Sequence, residues 1–223
     1  MSDTALEIAL RRDRYVILAS LLLLIALAWG YVFWLAGHME APSDAAAMPE
    51  MDMGGAIAPA IRPWMAADFI AAFVMWAVMM VGMMVPSALP MTLVYASVAR
   101  KAAAQNSPLA PTSVFVGGYI SMWCLFSAGA SLAQWALDQS ALLSPMMVSN
   151  SPYLGAGLLI SAGGYQLTPI KNSCLTHCRA PAHFFSEHWC AGWTGALRMG
   201  MVHGAYCLGC CWVLMGLLFL GGV

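Results

Sequence analysis

Charge is what this sequence has least of. Only 9% of its 223 residues are Asp, Glu, Lys or Arg, against about 25% in soluble domains. The nine Lys and Arg residues form no patch dense enough to hold a phosphate backbone, which argues against nucleic acid as a partner. There are no paired carboxylates and no Ser/His/Asp set to suggest hydrolysis, so no catalytic residue is assigned and no organic cofactor is expected. No repeat of solenoid length and no inverted repeat is evident. The seven cysteines are odd in number and lie mostly in apolar runs, unlike the paired disulfide framework of a small secreted domain.

What fills the chain instead is apolar surface and sulfur: 61% of residues are hydrophobic, and there are 18 Met beside the 7 Cys. The expected fold is all-α, a polytopic transmembrane helical bundle of about five spans in the lipid bilayer of a bacterial inner membrane. Residues 1–14 read as a cytoplasmic N-terminal segment, because Arg11, Arg12 and Arg14 stand just before an apolar run. Residues 15–36 read as the first transmembrane helix, uncharged and long enough for a hydrocarbon layer of about 30 Å. A secretory signal would have a core of only about 7–15 residues and a small-residue cleavage site. This run instead ends in Tyr31, Phe33 and Trp34, which suit an interfacial aromatic belt.

Residues 37–67 read as an extracytoplasmic loop with Met and acidic residues, and residues 68–223 as a domain of four further spans. The first of these runs from about 68 to 99 and is expected to kink or end at Pro86 and Pro90, which lack a backbone donor. The next run from about 112 to 137, from 152 to the basic region 171–179, and from about 194 to the end. A short amphipathic connector with Pro181, His183, Glu187, His188 and Trp189 precedes the last. Of the nine basic residues, Arg62 alone then falls outside, as the positive-inside rule expects. Val223 ends the chain inside an apolar run without flanking charge, so a further span is expected beyond it.

Four constellations could carry chemistry. The first is His203-Gly204-Ala205-Tyr206-Cys207-Leu208-Gly209-Cys210-Cys211-Trp212. On a helix His203, Cys207 and Cys211 follow one another at single turns, and Cys210 is also a neighbour of Cys207. Imidazole and thiolate are the usual zinc ligands, and soft sulfur selects Cu(I). Packing is the plainer reading for any single Cys, a small hydrophobe that is commonly buried. An intramembrane His, however, is a functional candidate by default. Cys210 and Cys211 stand about 100° apart around the helix, so one of them is expected to point elsewhere.

The second constellation is the stripe Met75, Met79 and Met83, with Met80 and Met84 beside it. Thioethers stay neutral and bind soft cations, though Met is also an adaptable filler of helix contacts. At about 1.5 Å per residue, these Met residues, Cys124, His203 and Cys207 fall at overlapping depths. Contact between the second and fifth spans is therefore the test of a shared site. The third constellation is Cys174, His177 and Cys178, one turn apart in Asn172-Ser173-Cys174-Leu175-Thr176-His177-Cys178-Arg179. The same depth count puts it well away from Cys207, as a separate cytoplasmic site. The fourth is the outer loop with His38, Met51 and Met53, similar to sparse thioether motifs that collect copper where free thiols would be oxidised.

Three of these stretches together resemble one family: Met75 to Pro90, Tyr165 to Arg179, and Gly204 to Trp212. It is a bacterial group of unknown function described as predicted metal-binding integral membrane proteins. The resemblance covers roughly residues 68–223 and implies a metal-related role without an established activity. Members of the group usually continue past this point with another helix.

The expected function is a metal-binding inner-membrane protein that binds, transfers or transports a soft ion. Copper as Cu(I) is expected first and zinc second, with a metallochaperone, a membrane complex or another copy of the chain as partner. The alternatives are a membrane thiol-disulfide oxidoreductase using Cys207 and Cys210, and a non-catalytic subunit or assembly factor. Gly117, Gly118, Gly155, Gly157, Gly163 and Gly164 would allow the close helix contacts of such a subunit.

Overall fold

A computed structural model describes residues 3–39, 64–104, 110–140 and 152–221, and every element in them is helical. In chain order these are α1 (Asp3–Met39), α2 (Ala66–Ala104), α3 (Thr112–Gln139), α4 (Pro152–Gln166), α5 (Pro169–Arg179), α6 (Pro181–His188), α7 (Gly192–Gly216) and α8 (Leu218–Gly221). A helix satisfies its own backbone donors and acceptors, which is what an apolar surrounding demands. The all-α expectation holds.

Four of the helices are long and apolar enough to cross a membrane: Tyr15–Gly37, Ala66–Ala102, Thr112–Gln139 and Gly192–Gly216. Their outward faces carry exposed apolar side chains such as Leu23, Phe33, Ile70, Leu125 and Leu132. The expected fifth, from 152 to 179, is not one helix. Its chain turns at Leu167-Thr168, where Leu167 N–H donates to the Gly164 carbonyl and Thr168 N–H to the Tyr165 carbonyl, both at 3.1 Å. Thr168 then caps α5, its hydroxyl accepting from Lys171 N–H at 3.4 Å, and Pro169 takes the first helical position, where a missing N–H costs nothing. The result is two shorter helices, α4 and α5, the second lying along α7.

Pro86 and Pro90, by contrast, do not end α2, which runs through both. They remove the donors that would have served the Gly82 and Pro86 carbonyls. Beside this weakened turn the Ser87 hydroxyl donates to the Met84 carbonyl at 2.7 Å, and the Tyr119 hydroxyl reaches the same oxygen from α3 at 2.9 Å. Side-chain hydroxyls of this kind support a proline-containing helix at membrane depth.

α3 packs against both α2 and α7. Against α2 it runs antiparallel, with Trp76 Nε1–H donating to Gln134 Oε1 at 2.7 Å in the core and Trp64 Nε1–H to Asp138 Oδ2 at 2.7 Å near the end. Against α7 the backbones touch. A Cβ on Gly118 would land on the Leu197 carbonyl and one on Gly200 on the Phe115 carbonyl. One on Gly204 would come within 2.8 Å of Met122 Cβ. Small residues let helices approach this closely, and Gly200 and Gly204 have the one-turn spacing of that motif. Of the glycines expected to serve close contacts, Gly118 does so, whereas Gly117, Gly157, Gly163 and Gly164 face open space.

Two apolar clusters result. One gathers Met75, Trp76, Met80, Tyr119, Trp123 and Cys207. The other gathers Met91, Tyr95, Phe115, Phe184, Phe185 and Met199, with Tyr95 stacked on Phe115 at 4.9 Å. α6 is the amphipathic connector expected from the sequence: Phe184 and Phe185 are buried, while His183 and Glu187 are exposed. Gly200→Ala should destabilise the protein by about 1–3 kcal/mol, the usual cost of overpacking. Gly163→Ala should be neutral or stabilising by up to about 1 kcal/mol. Thermal unfolding of both variants in detergent measures the difference.

Candidate metal centre

The centre is built on the middle of α7. Cys207 is buried there, its Sγ 3.3 Å from the Tyr119 hydroxyl and 3.7 Å from the Ser87 hydroxyl. α2 and α7 therefore meet through side chains, with Tyr119 of α3 between them. One turn further along, the Cys210 and Cys211 thiols both donate to the Cys207 carbonyl at 3.0 Å. The expected divergence of these two thiols does not occur. About 100° of helix rotation separates their Cβ atoms, and the side chains lean back onto the preceding turn, where one carbonyl oxygen receives both.

The larger departure concerns α5. Cys174 and Cys178 are not a separate site. Cys178 packs against the cluster that contains Cys207 and shares thiol hydrogen bonds with Cys207 and Cys210. Cys174 lies over Gly209, so close that a Cβ there would be 2.8 Å from its Sγ. The Tyr165 hydroxyl donates to the Gly209 carbonyl, tying the end of α4 to the same turn. The depth count failed because it assumed one straight helix from 152 to 179, and the turn at 167–168 sends α5 back along α7. Five thiols from two helices consequently gather around one turn of α7, and all seven cysteines of the chain are free.

The electrostatics of α5 follow from this gathering. Hydrogen bonds to Cys207 and Cys210, with burial behind them, raise the Cys178 thiol well above its ordinary value. Burial also raises Cys174, helped by Cys210 beside it. A metal at these thiols must displace protons, because the thiolate is the ligand.

The methionine stripe borders the same region. Met75 and Met80 are members of the cluster that includes Cys207, and Met79, Met83 and Met84 pack against it. Met215, which packs there too, was missed in the sequence although it continues the one-turn series Cys207, Cys211, Met215. Tyr119, Ser87 and Gly209 were also missed, and no local pattern marks them.

His203 lies one turn before Cys207 on α7. Its ring is 2% exposed, stacked on Tyr119 at 5.4 Å and Phe115 at 6.2 Å, with Phe184 edge-on at 5.6 Å. Its Nδ1 is buried without a hydrogen-bond partner. The imidazole thus occupies an aromatic box at the border of the thiol cluster. His177 turns away from Cys174 and Cys178 and stacks on Tyr206 of α7 at 4.4 Å. Cys124 is half-buried on α3 outside the cluster. The His38 side chain, Met51 and Met53 lie outside the described residues.

A gathering of soft donors, several of them shielded from water, suits a soft monovalent ion such as Cu(I) better than a hard cation. Comparison with curated proteins and with solved structures gave no match for this chain. Comparison with family models gave PpoB2, described as a copper chaperone, over residues 73–223. That stretch contains the methionine stripe, α5 and the α7 thiols, and the family matched is a copper-related one. The chain belongs to the PpoB2 copper chaperone family.

Proposed function

We propose that this protein is a membrane-embedded copper chaperone of the bacterial inner membrane that carries Cu(I) on the thiols shared by α5 and α7. The observation that supports it is the convergence of Cys174 and Cys178 with Cys207, Cys210 and Cys211, which family membership alone does not supply. Copper is cargo in this reading, received and passed on.

The apolar outer faces of the four long helices and the basic N-terminal residues Arg11, Arg12 and Arg14 support a spanning arrangement with a cytoplasmic N-terminus. His38, Met51 and Met53 would collect the ion outside. Met75, Met79 and Met83, with Met80 and Met84, give it neutral thioether donors on the way. Cys207 with Cys178 and either Cys210 or Cys211 hold it, with Cys174 beside them over Gly209. The Tyr119 hydroxyl gives its proton to the Met84 carbonyl, and its oxygen, 3.3 Å from the Cys207 sulfur, orients that thiol. His203 borders the site and shapes its aromatic wall. Release is to a partner protein with stronger thiol ligands.

Three outcomes test this in protein purified without oxygen. Elemental analysis after Cu(I) loading should find copper retained by the native protein and lost in Cys178→Ser/Cys207→Ser. Equal retention in that variant would sink the reading. Tyr119→Phe, probed by competition with a colorimetric Cu(I) chelator, should weaken binding by about 10–100-fold, the usual cost of removing an outer partner of a ligand. The same competition should show weaker binding as pH falls, because the raised Cys174 and Cys178 thiols hold their protons against the metal more strongly.

A further inference from the structure

A second donor set stands at the corner of α5 and α6, and its chemistry is different. His177 comes from the last turn of α5, while His183 and Glu187 are one turn apart on the exposed face of α6. His177 Nε2 is 3.5 Å from Glu187 Oε2, and His183 Nδ1 is 3.3 Å from the same oxygen. The three ligand atoms all lie within 4.8 Å of one another. None of them belongs to the thiol cluster.

The surroundings prepare these groups for a cation. His177 Nδ1 lies 2.9 Å from the Ser173 carbonyl, which can only accept, so Nδ1 carries the proton. That leaves the Nε2 lone pair directed at the corner, the tautomer a metal ligand requires, fixed as metal-binding imidazoles commonly are. The stack on Tyr206 at 4.4 Å holds the ring orientation. On α6 the buried Phe184 and Phe185 anchor one face of the helix, so its opposite face is presented at a fixed angle. His188 stands alongside, its ring 6.3 Å from that of His177 and its Nε2 3.5 Å from the Tyr206 hydroxyl.

The geometry points to a binding site for a borderline divalent cation, of the zinc(II) class, formed by His177, His183 and Glu187. Two imidazoles and one carboxylate form a recurrent zinc ligand set, with positions left open to water. Soft Cu(I) would gain little from it. A cation there joins the end of α5 to α6 one residue before Cys178, the thiol that α5 brings to α7. The site is independent of the copper reading, and either can fail without the other.

The test uses the full chain in detergent, with Co²⁺ as the spectroscopic probe and Zn²⁺ as competitor. The expected result is one Co²⁺ with ligand-field bands and no sulfur-to-metal charge transfer, displaced by Zn²⁺. His183→Ala and Glu187→Gln, both at exposed positions, should each weaken that binding by at least about tenfold. They should leave the melting temperature of the metal-free protein and its Cu(I) retention unchanged. Co²⁺ affinity unchanged in both variants, or bound Co²⁺ showing only sulfur charge-transfer bands, would overturn the proposal.

Discussion

Backbone contact between α3 and α7 is the constraint on which the candidate centre depends. Gly118 on one helix and Gly200 and Gly204 on the other leave no room for a Cβ, so the axes approach as far as the backbone permits. That approach carries Tyr119 to Cys207. The same hydroxyl also reaches α2 at the Met84 carbonyl, beside the turn weakened by Pro86 and Pro90. One phenol therefore links the proline-containing segment, the central helix and the thiol turn. Wider packing would separate all three.

A second close approach completes the centre. Gly209 has only hydrogen where Cys174 rests, and the Thr168 cap with Pro169 sets the direction in which α5 departs. A Cβ at 209 would meet the Cys174 sulfur and push that thiol off the turn. The Cys-Leu-Gly-Cys-Cys run is thus more than a row of thiols, since its glycine leaves room for the sulfur of Cys174.

The two faces of α5 then present different chemistry. One carries Cys174 and Cys178 into the half-buried sulfur cluster, whereas the other carries His177 to an exposed corner shared with His183 and Glu187. Soft donors shielded from water and borderline donors in contact with it select different ions. A single short helix links both, which gives α5 its importance despite being too short to cross a membrane.

How much of this was legible from the residues varies by element. Apolar runs and scarce charge determined an all-helical architecture, because in an apolar setting only internally bonded backbone is stable. Helical periodicity determined that Met75, Met79 and Met83 share a face, and that Cys207 and Cys211 do. The sulfur-rich composition pointed to a soft metal. What periodicity could not carry was information across a break in the chain. The turn at 167–168 reverses the neighbourhood of Cys174 and Cys178, and the contacts of Tyr119, Ser87 and Gly209 join residues far apart in sequence. Spacing put His203 one turn before Cys207, but the aromatic rings of Phe115, Tyr119 and Phe184 around it come from three stretches of chain. The sequence by itself determined which donors each helix carries and on which side. Only the tertiary structure decided which helices meet, because close approach depends on where side chains are missing on both partners at once.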